Sequence, residues 1–126
     1  MRKVRFFLLL GILGFVAIAV LCAAVPSHAA ERDYQLPWCA ERGGTVEVVL
    51  SDGTRADCVT ATHAIEFDFA PKWAEAIGQA LHYAALTGKK PGIVLIVGPD
   101  DGRFLERLRA TIAAHCLRID VWEVKK

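Results

Sequence analysis

Apolar and polar residues alternate from His63 to Phe69, and this alternation predicts a β-strand with two different faces. The two faces are Ile65, Phe67 and Phe69 on one side and Ala64, Glu66 and Asp68 on the other. The β-rich stretches 45–50 and 55–60 precede this strand. Between them, Ser51-Asp52-Gly53-Thr54 predicts a hairpin, because Asp-Gly suits the positive φ angles of a two-residue turn. We therefore expect an antiparallel meander of three strands.

A helix is predicted from Pro71 to about Leu86, because proline is favoured at the first helical position and helical spacing follows it. One side of this helix is polar and contains Lys72, Glu75, Gln79 and His82 or Tyr83. The opposite side is apolar, is expected to face the core, and contains Trp73, Ile77, Ala80, Leu81 and Ala84. The polar side is more polar than solubility alone requires.

The remaining pattern predicts an α/β sandwich. The continuous apolar run 92–97 is typical of a buried strand that lies parallel to its neighbour. An amphipathic helix is predicted over 103–115 and a last strand over 118–124. The order (α)βββαβαβ joins an antiparallel meander to parallel strands through helical crossovers, so we expect a mixed sheet with helices packed on it.

The first residues have the pattern of a secretory signal peptide. Three basic residues stand before Phe6, no charged residue occurs from there to Ala30, and Ser27-His28-Ala29 offers small residues at a cleavage site. We predict a signal peptide at 1–29 and a single periplasmic or secreted domain at 30–126, without stable membrane association after cleavage. The alternative is an uncleaved anchor, since the apolar run is long enough to span a bilayer.

The start of the mature domain is expected to be irregular. Residues 30–37 are polar and contain Pro37, so they predict an exposed lead-in. Residues 38–42 predict one or two helical turns, which Gly43-Gly44 would end.

Charge narrows the class of partner. Without residues 1–29 the chain keeps 12 of its 15 basic residues against 14 acidic residues, a net charge of about −2. A protein that depends on nonspecific attraction to phosphate needs a basic surface. The mature domain does not have that balance, although local basic patches remain compatible with it.

Three cysteines remain in the mature domain: Cys39, Cys58 and Cys116. Export implies an oxidising compartment, so one disulfide and one free thiol are expected. We predict the pair Cys39–Cys58, which would join the N-terminal segment to the second strand. The alternative is a zinc site formed by these two cysteines and His63, but the chain lacks the Cys-x-x-Cys spacing of such sites.

Three acids are expected to meet at the end of the meander: Asp57 on the second strand, and Glu66 and Asp68 on the third. Such a cluster of oxygen ligands suits a hard divalent cation, and a cation there suits phosphodiester hydrolysis. The alternative is that these acids form the solvated face of a sheet.

The order βββαβ, with Asp57 and Glu66 on successive strands, resembles the PD-(D/E)xK nuclease superfamily and its restriction-endonuclease-like fold, a three-layer sandwich. Gln79-Ala80-Leu81-His82-Tyr83 is similar to the Gln-x-x-x-Tyr motif of RecB-type exonucleases. The resemblance implies a nuclease that uses Mg²⁺ or Mn²⁺, with a nucleic acid as substrate and DNA or RNA left open. It also implies roles for six residues: Asp57, Glu66 and Asp68 as metal ligands and catalytic residues, Lys72 as the catalytic lysine that orients the nucleophile or stabilises charge, and Gln79 and Tyr83 in substrate positioning.

The chain departs from this family at one position. Asp68 stands where the family has lysine, two residues after the acid, and Lys72 at the start of the next helix is the candidate replacement. The alternative function is therefore a catalytically inactive binding or structural module that retains the nuclease fold in the periplasm.

Overall fold

The computed structural model describes residues 27–126. Residues 1–26 of the predicted signal peptide lie outside this part, and residues 27–29 begin the first helix. Among the described helices, none is long and apolar enough to cross a membrane. The elements in chain order are α1 (Ser27–Glu41), β1 (Thr45–Val49), β2 (Arg55–Val59), β3 (His63–Phe69), a 3-10 turn (Ala70–Lys72), α2 (Trp73–Thr87), β4 (Lys90–Val97), α3 (Gly102–Ala114) and β5 (Asp120–Lys125).

The five strands form one mixed sheet in the order β1-β2-β3-β4-β5. The pairs β1–β2 and β2–β3 are antiparallel, whereas β3–β4 and β4–β5 are parallel. This confirms the predicted meander and the parallel strand after the first helical crossover. Residues 93–97 of β4 are all buried, as their continuous apolar sequence predicts.

Helices cover both faces of the sheet. On one face, Trp38 and Cys39 of α1 pack against Ile65 and Phe67 of β3. On the other face, residues of α2 and α3 pack against Ile93, Leu95 and Val97 of β4. The result is an α/β fold compatible with a three-layer sandwich.

The prediction of an exposed lead-in at residues 30–37 is wrong, because these residues belong to α1. One side of the helix faces the sheet, at the spacing of consecutive helical turns: Glu31, Tyr34, Gln35, Trp38 and Cys39. Two of these buried residues, Glu31 and Gln35, are polar. Because these two residues are polar, the buried side of the helix does not have an apolar pattern in the sequence. Pro37, which argued against a helix, is exposed and lies within α1.

The core-facing side of α2 is rotated relative to the prediction. Ala76, Ala80 and Tyr83 are buried, whereas Leu81 is exposed. The Tyr83 ring packs with Ala56 and Ala64, small residues that leave room for it above β2 and β3. A large aromatic side chain therefore takes the position that hydrophobicity alone assigned to leucine.

The β1–β2 hairpin forms as predicted but with a three-residue loop. Leu50 N donates to Thr54 O at 2.8 Å, and Gly53 alone within the loop has a positive φ, of 86°. The Asp52 carboxylate accepts hydrogen bonds from Thr54 N and from Thr54 Oγ1, at 2.9 and 2.6 Å. The loop is thus a turn followed by one left-handed glycine, a common alternative to the two-residue form.

The predicted disulfide Cys39–Cys58 is present and joins α1 to β2. Both sulfurs are therefore occupied, which rules out the zinc alternative, and His63 instead pairs with Asp120 at 2.7 Å. Gly44 lies directly against the disulfide, since a Cβ there would be 2.7 and 2.8 Å from the two sulfurs. Cys116 is the exposed free thiol.

Replacing Cys39 and Cys58 together with alanine should lower the free energy of unfolding by about 3 kcal/mol, because the bridge closes a loop across 19 residues. Chemical denaturation of the purified protein measures this difference. Cys116→Ala is the matched control and should leave the transition unchanged. Equal stability of the double variant and the control would contradict a stabilising role for the bridge.

Candidate functional site

The strands β2 and β3 separate at Asp57. Their main-chain pairing includes Cys58 with Ile65 and Val59 with Ala64, and it does not continue to Asp57. There, side chains replace the main-chain partners: Phe67 N donates to Asp57 Oδ2 at 2.8 Å, and the Gln35 side-chain amide donates to Asp57 O. These two backbone groups are still satisfied, so the strands can separate here without leaving them unpaired.

A cavity of about 250 Å³ lies at this opening. Since α1 and α2 pack on opposite faces of the sheet, a cavity that both helices line must lie where the sheet is interrupted. Its lining is Glu31, Glu47, Arg55, Asp57, Glu66, Asp68, Lys72, Glu75, Gln79 and Tyr83. All six predicted site residues are among these ten.

Glu66 is the most strongly perturbed acid of the cavity. Its side chain points to the α2 face of β3, and the residue is 5% exposed. Burial raises the pKa of Glu66 to about 10, with further contributions from repulsion by Asp57 and Asp68. Its Oε2 atom is buried and has no hydrogen-bond partner among the described residues. At neutral pH this carboxyl group therefore holds a proton, and one of its oxygens is unsatisfied.

Asp68 and Lys72 form the other half of the acidic site. Burial raises the pKa of Asp68 to about 7, and repulsion by Glu31 adds to this shift, whereas the positive charge of Lys72 opposes it. The 3-10 turn that begins after Phe69 brings Lys72 back over the strand. Its Nζ lies 3.8 Å from Asp68 Oδ1 and 3.9 Å from Glu31 Oε1. The lysine is 44% exposed, so its ammonium group is also open to solvent.

Gln79 and Tyr83 stand one helical turn apart on the side of α2 that faces the cavity. The Tyr83 hydroxyl donates to Gln79 Oε1 at 3.1 Å. Burial and the neighbouring acids Glu66 and Asp57 raise the pKa of Tyr83, so the phenol stays protonated and remains a donor. His82, the other residue considered for this polar side, points away and pairs with Asp52 at 2.7 Å.

Four lining residues are absent from the predicted site: Glu31, Glu47, Arg55 and Glu75. Glu75 lies on the polar side of α2, as its helical spacing predicts, but the sequence-based prediction gives it no role in the site. Glu31 depends on the unpredicted part of α1. Arg55 lies two residues before Asp57 on the same strand, so strand alternation could have placed it on the same face. The β1–β2 register places Glu47 opposite Asp57, but that register depends on the actual hairpin loop.

No group of three or more His, Cys, Asp or Glu side chains within residues 27–126 is arranged to hold a metal ion. The carboxylates line one cavity, but they already have other contacts. Asp57 accepts a hydrogen bond from Phe67 N, and Lys72 lies between Asp68 and Glu31.

Comparisons with known proteins do not place the chain. No family model matches it, and neither the search of curated proteins nor the search of solved structures gives a match. The function must therefore be argued from the site itself.

The pKa values of Glu66 and Asp68 predict that the protein becomes less stable as pH rises. The folded protein keeps protons on these two acids that the unfolded chain releases above their ordinary pKa values of 4.5 and 3.8. Stability present at low pH is therefore lost as pH rises, through about 7 for Asp68 and on towards about 10 for Glu66. Thermal unfolding between pH 5 and pH 9 in EDTA measures this slope.

Glu66→Gln removes the acid with the most strongly raised pKa, so stability should fall less steeply as pH rises. At pH 8 the variant should be more stable than the wild type, because glutamine is neutral at every pH and needs no proton uptake on folding. Glu106→Gln, on the exposed side of α3, is the control and should keep the wild-type slope. Identical dependence of stability on pH in all three proteins would show that the pKa of Glu66 is not raised.

Proposed function

We propose that this protein is a divalent-metal-dependent phosphodiester hydrolase of the PD-(D/E)xK type that acts on nucleic acid and uses Mg²⁺ or Mn²⁺. The observation that carries the proposal is Glu66, a buried carboxyl group with one unsatisfied oxygen, set beside Asp57 and Asp68 in an open cavity. Burying acids together is unfavourable, and a cation would offset that cost.

The arrangement of elements supports the proposal. Asp57 lies on β2, Glu66 on β3, and Gln79 and Tyr83 on the helix that crosses to the parallel strand β4. This is the order expected of a restriction-endonuclease-like fold, with each motif residue facing one cavity. Residues from β2, β3 and α2 thus line the same cavity, as a single catalytic site requires.

The donor set fits a hard cation. All candidate ligands are carboxylate oxygens, which Mg²⁺ and Mn²⁺ prefer. Mg²⁺ is usually held by one or two carboxylates, with water and substrate phosphate completing its shell. Asp57 and Glu66 would supply these two carboxylates. Asp68 would assist as an additional ligand.

When bound, the ion would activate a water molecule and neutralise charge on the phosphate. The chain's own residues do the rest. Phe67 N fixes the orientation of Asp57 through Oδ2. Lys72 presents a half-exposed ammonium group at the cavity, where it would stabilise negative charge on the reacting phosphate. Tyr83 and Gln79, already hydrogen-bonded to each other, would position the substrate.

An extracytoplasmic location is part of the proposal. The disulfide between α1 and β2 is compatible with an oxidising compartment, periplasmic or secreted. The charged start and apolar run of residues 1–29 are the sequence pattern that supports export.

A second candidate function is a catalytically inactive binding module. It is favoured by Asp68 in place of the motif lysine and by the lack of three converging metal ligands among the described residues. In that case the acids would remain protonated and the cavity would not respond to a divalent cation.

Metal binding separates the two functions. Millimolar Mg²⁺ or Mn²⁺ should raise the Tm of the wild type above its value in EDTA, because a ligand that binds only the folded state stabilises it. Asp57→Asn should lose this rise, whereas the control Asp100→Asn, in the exposed loop before α3, should keep it. A well-folded wild type whose Tm responds to neither ion would refute the metal-dependent function.

Lys72→Ala should lower kcat for cleavage of a DNA or RNA substrate by about 10²–10³-fold, the usual loss when a group that stabilises transition-state charge is removed. The metal-dependent rise in Tm should remain. Lys89→Ala is the control, since Lys89 contacts Ala61 O outside the cavity. A kcat equal to that of the control would exclude Lys72 from the reaction.

A further inference from the structure

A chain of polar contacts runs from the core to the edge of the cavity through Gln35, Glu47 and Arg55. Gln35 is 1% exposed and donates to Glu47 Oε1 at 3.1 Å. The other oxygen of the same carboxylate, Oε2, lies 3.1 Å from Arg55 Nε. The arginine side chain is 57% exposed, so the chain of contacts ends at a guanidinium group that solvent can reach.

The backbone at Glu47 has an unusual conformation. Its φ is 54°, a left-handed value that is uncommon for a residue other than glycine, asparagine or aspartate. Such a conformation is unfavourable and persists where the surroundings fix it, often at functional sites. Here it occurs in the middle of β1, between the register pairs Val46↔Cys58 and Val48↔Ala56. Its effect is to set one carboxylate between the buried Gln35 and the cavity.

A simple surface ion pair does not account for this arrangement. An exposed pair of this kind contributes little to stability, because solvent screens the two charges. The Glu47 side chain is only 14% exposed and is held by a buried amide from another element. The contacts of Glu47 with Gln35 and Arg55 instead fix the orientation of the guanidinium group.

The position of Arg55 suits an anion. Among the described residues that line the cavity, the basic ones are Arg55 and Lys72. They come from different elements: Arg55 precedes Asp57 on β2, whereas Lys72 lies in the 3-10 turn after β3. A guanidinium group is always charged and matches the geometry of phosphate oxygens through parallel N–H groups.

We propose that Arg55 binds a phosphate group of the nucleic acid substrate, and that Glu47 and Gln35 are positioning residues for it. This inference rests on the proposed function. The acids outnumber these two cations, so the cavity repels a phosphate until a divalent cation is bound. Binding of the metal and binding of the phosphate are therefore coupled, with the metal strengthening the interaction at Arg55.

Binding of a labelled single-stranded DNA oligonucleotide tests the role of Arg55. The measurement is made in Ca²⁺, to limit cleavage, and repeated in EDTA. Arg55→Ala should weaken binding in Ca²⁺ by about tenfold or more, the effect of losing hydrogen bonds to a charged group. Arg55→Lys should restore part of this loss, because it keeps the charge but not the planar fork. Arg107→Ala, on α3, is the control and should bind as the wild type does.

Glu47→Gln tests the positioning role. It keeps a side-chain oxygen for Gln35 but removes the charge that holds Arg55, so it should weaken oligonucleotide binding less than Arg55→Ala does. Combined with Arg55→Ala it should add nothing further, because both changes act through the same group. Additive losses would show that Glu47 acts independently of Arg55.

The rise in Tm with metal distinguishes this inference from the proposed function. If the wild type shows no metal-dependent rise, the proposed function fails and the inference falls with it. A second outcome is that the metal raises the Tm of the wild type and of Arg55→Ala by the same amount. If Arg55→Ala then binds the oligonucleotide as tightly as Arg107→Ala does, the inference alone is overturned. A loss of the rise in Arg55→Ala would make Arg55 part of the folded scaffold or the metal site and would also overturn it.

Discussion

The hydrogen bond from Phe67 N to the Asp57 carboxylate is the contact on which the site depends. In a continuous antiparallel pair, main-chain groups of β2 would satisfy β3 and leave no space between the strands. Here the Asp57 carboxylate accepts the hydrogen bond of Phe67 N in place of a main-chain carbonyl. The Gln35 side-chain amide donates to the Asp57 carbonyl in place of a main-chain N–H. The sheet can therefore open at one position, and the acids gather around the opening.

The opening places a destabilising feature inside a small domain. Glu66 and Asp68 are buried near other acids, and this environment raises the pKa values of both groups. Folding therefore favours their protonated forms. The rest of the domain offsets this cost. The disulfide fixes α1 to β2, and the buried strand β4 supports β3 from the other side.

The same opening links both sides of the sheet. Glu31 approaches from α1, and Gln79 and Tyr83 approach from α2. Lys72 contacts an acid from each side, Glu31 of α1 and Asp68 of β3. A cation or phosphate bound in the cavity would lie among groups from α1, β2, β3 and α2, so its binding would stabilise the folded domain.

The sequence by itself determined the strands, the mixed sheet, the disulfide and six of the residues that line the cavity. Strand alternation placed Glu66 and Asp68 together, and helical spacing placed Lys72, Gln79 and Tyr83 on nearby turns; such periodic signals depend only on backbone geometry. The tertiary structure decided the rest. Glu31 and Gln35 are buried because α1 docks where the sheet opens, so a polar helix face became an interior one. Glu47 joined the site through the register of β1 and its own left-handed backbone, which no local pattern encodes. Arg55 was within reach of strand alternation, but its contact with Glu47 depends on that register.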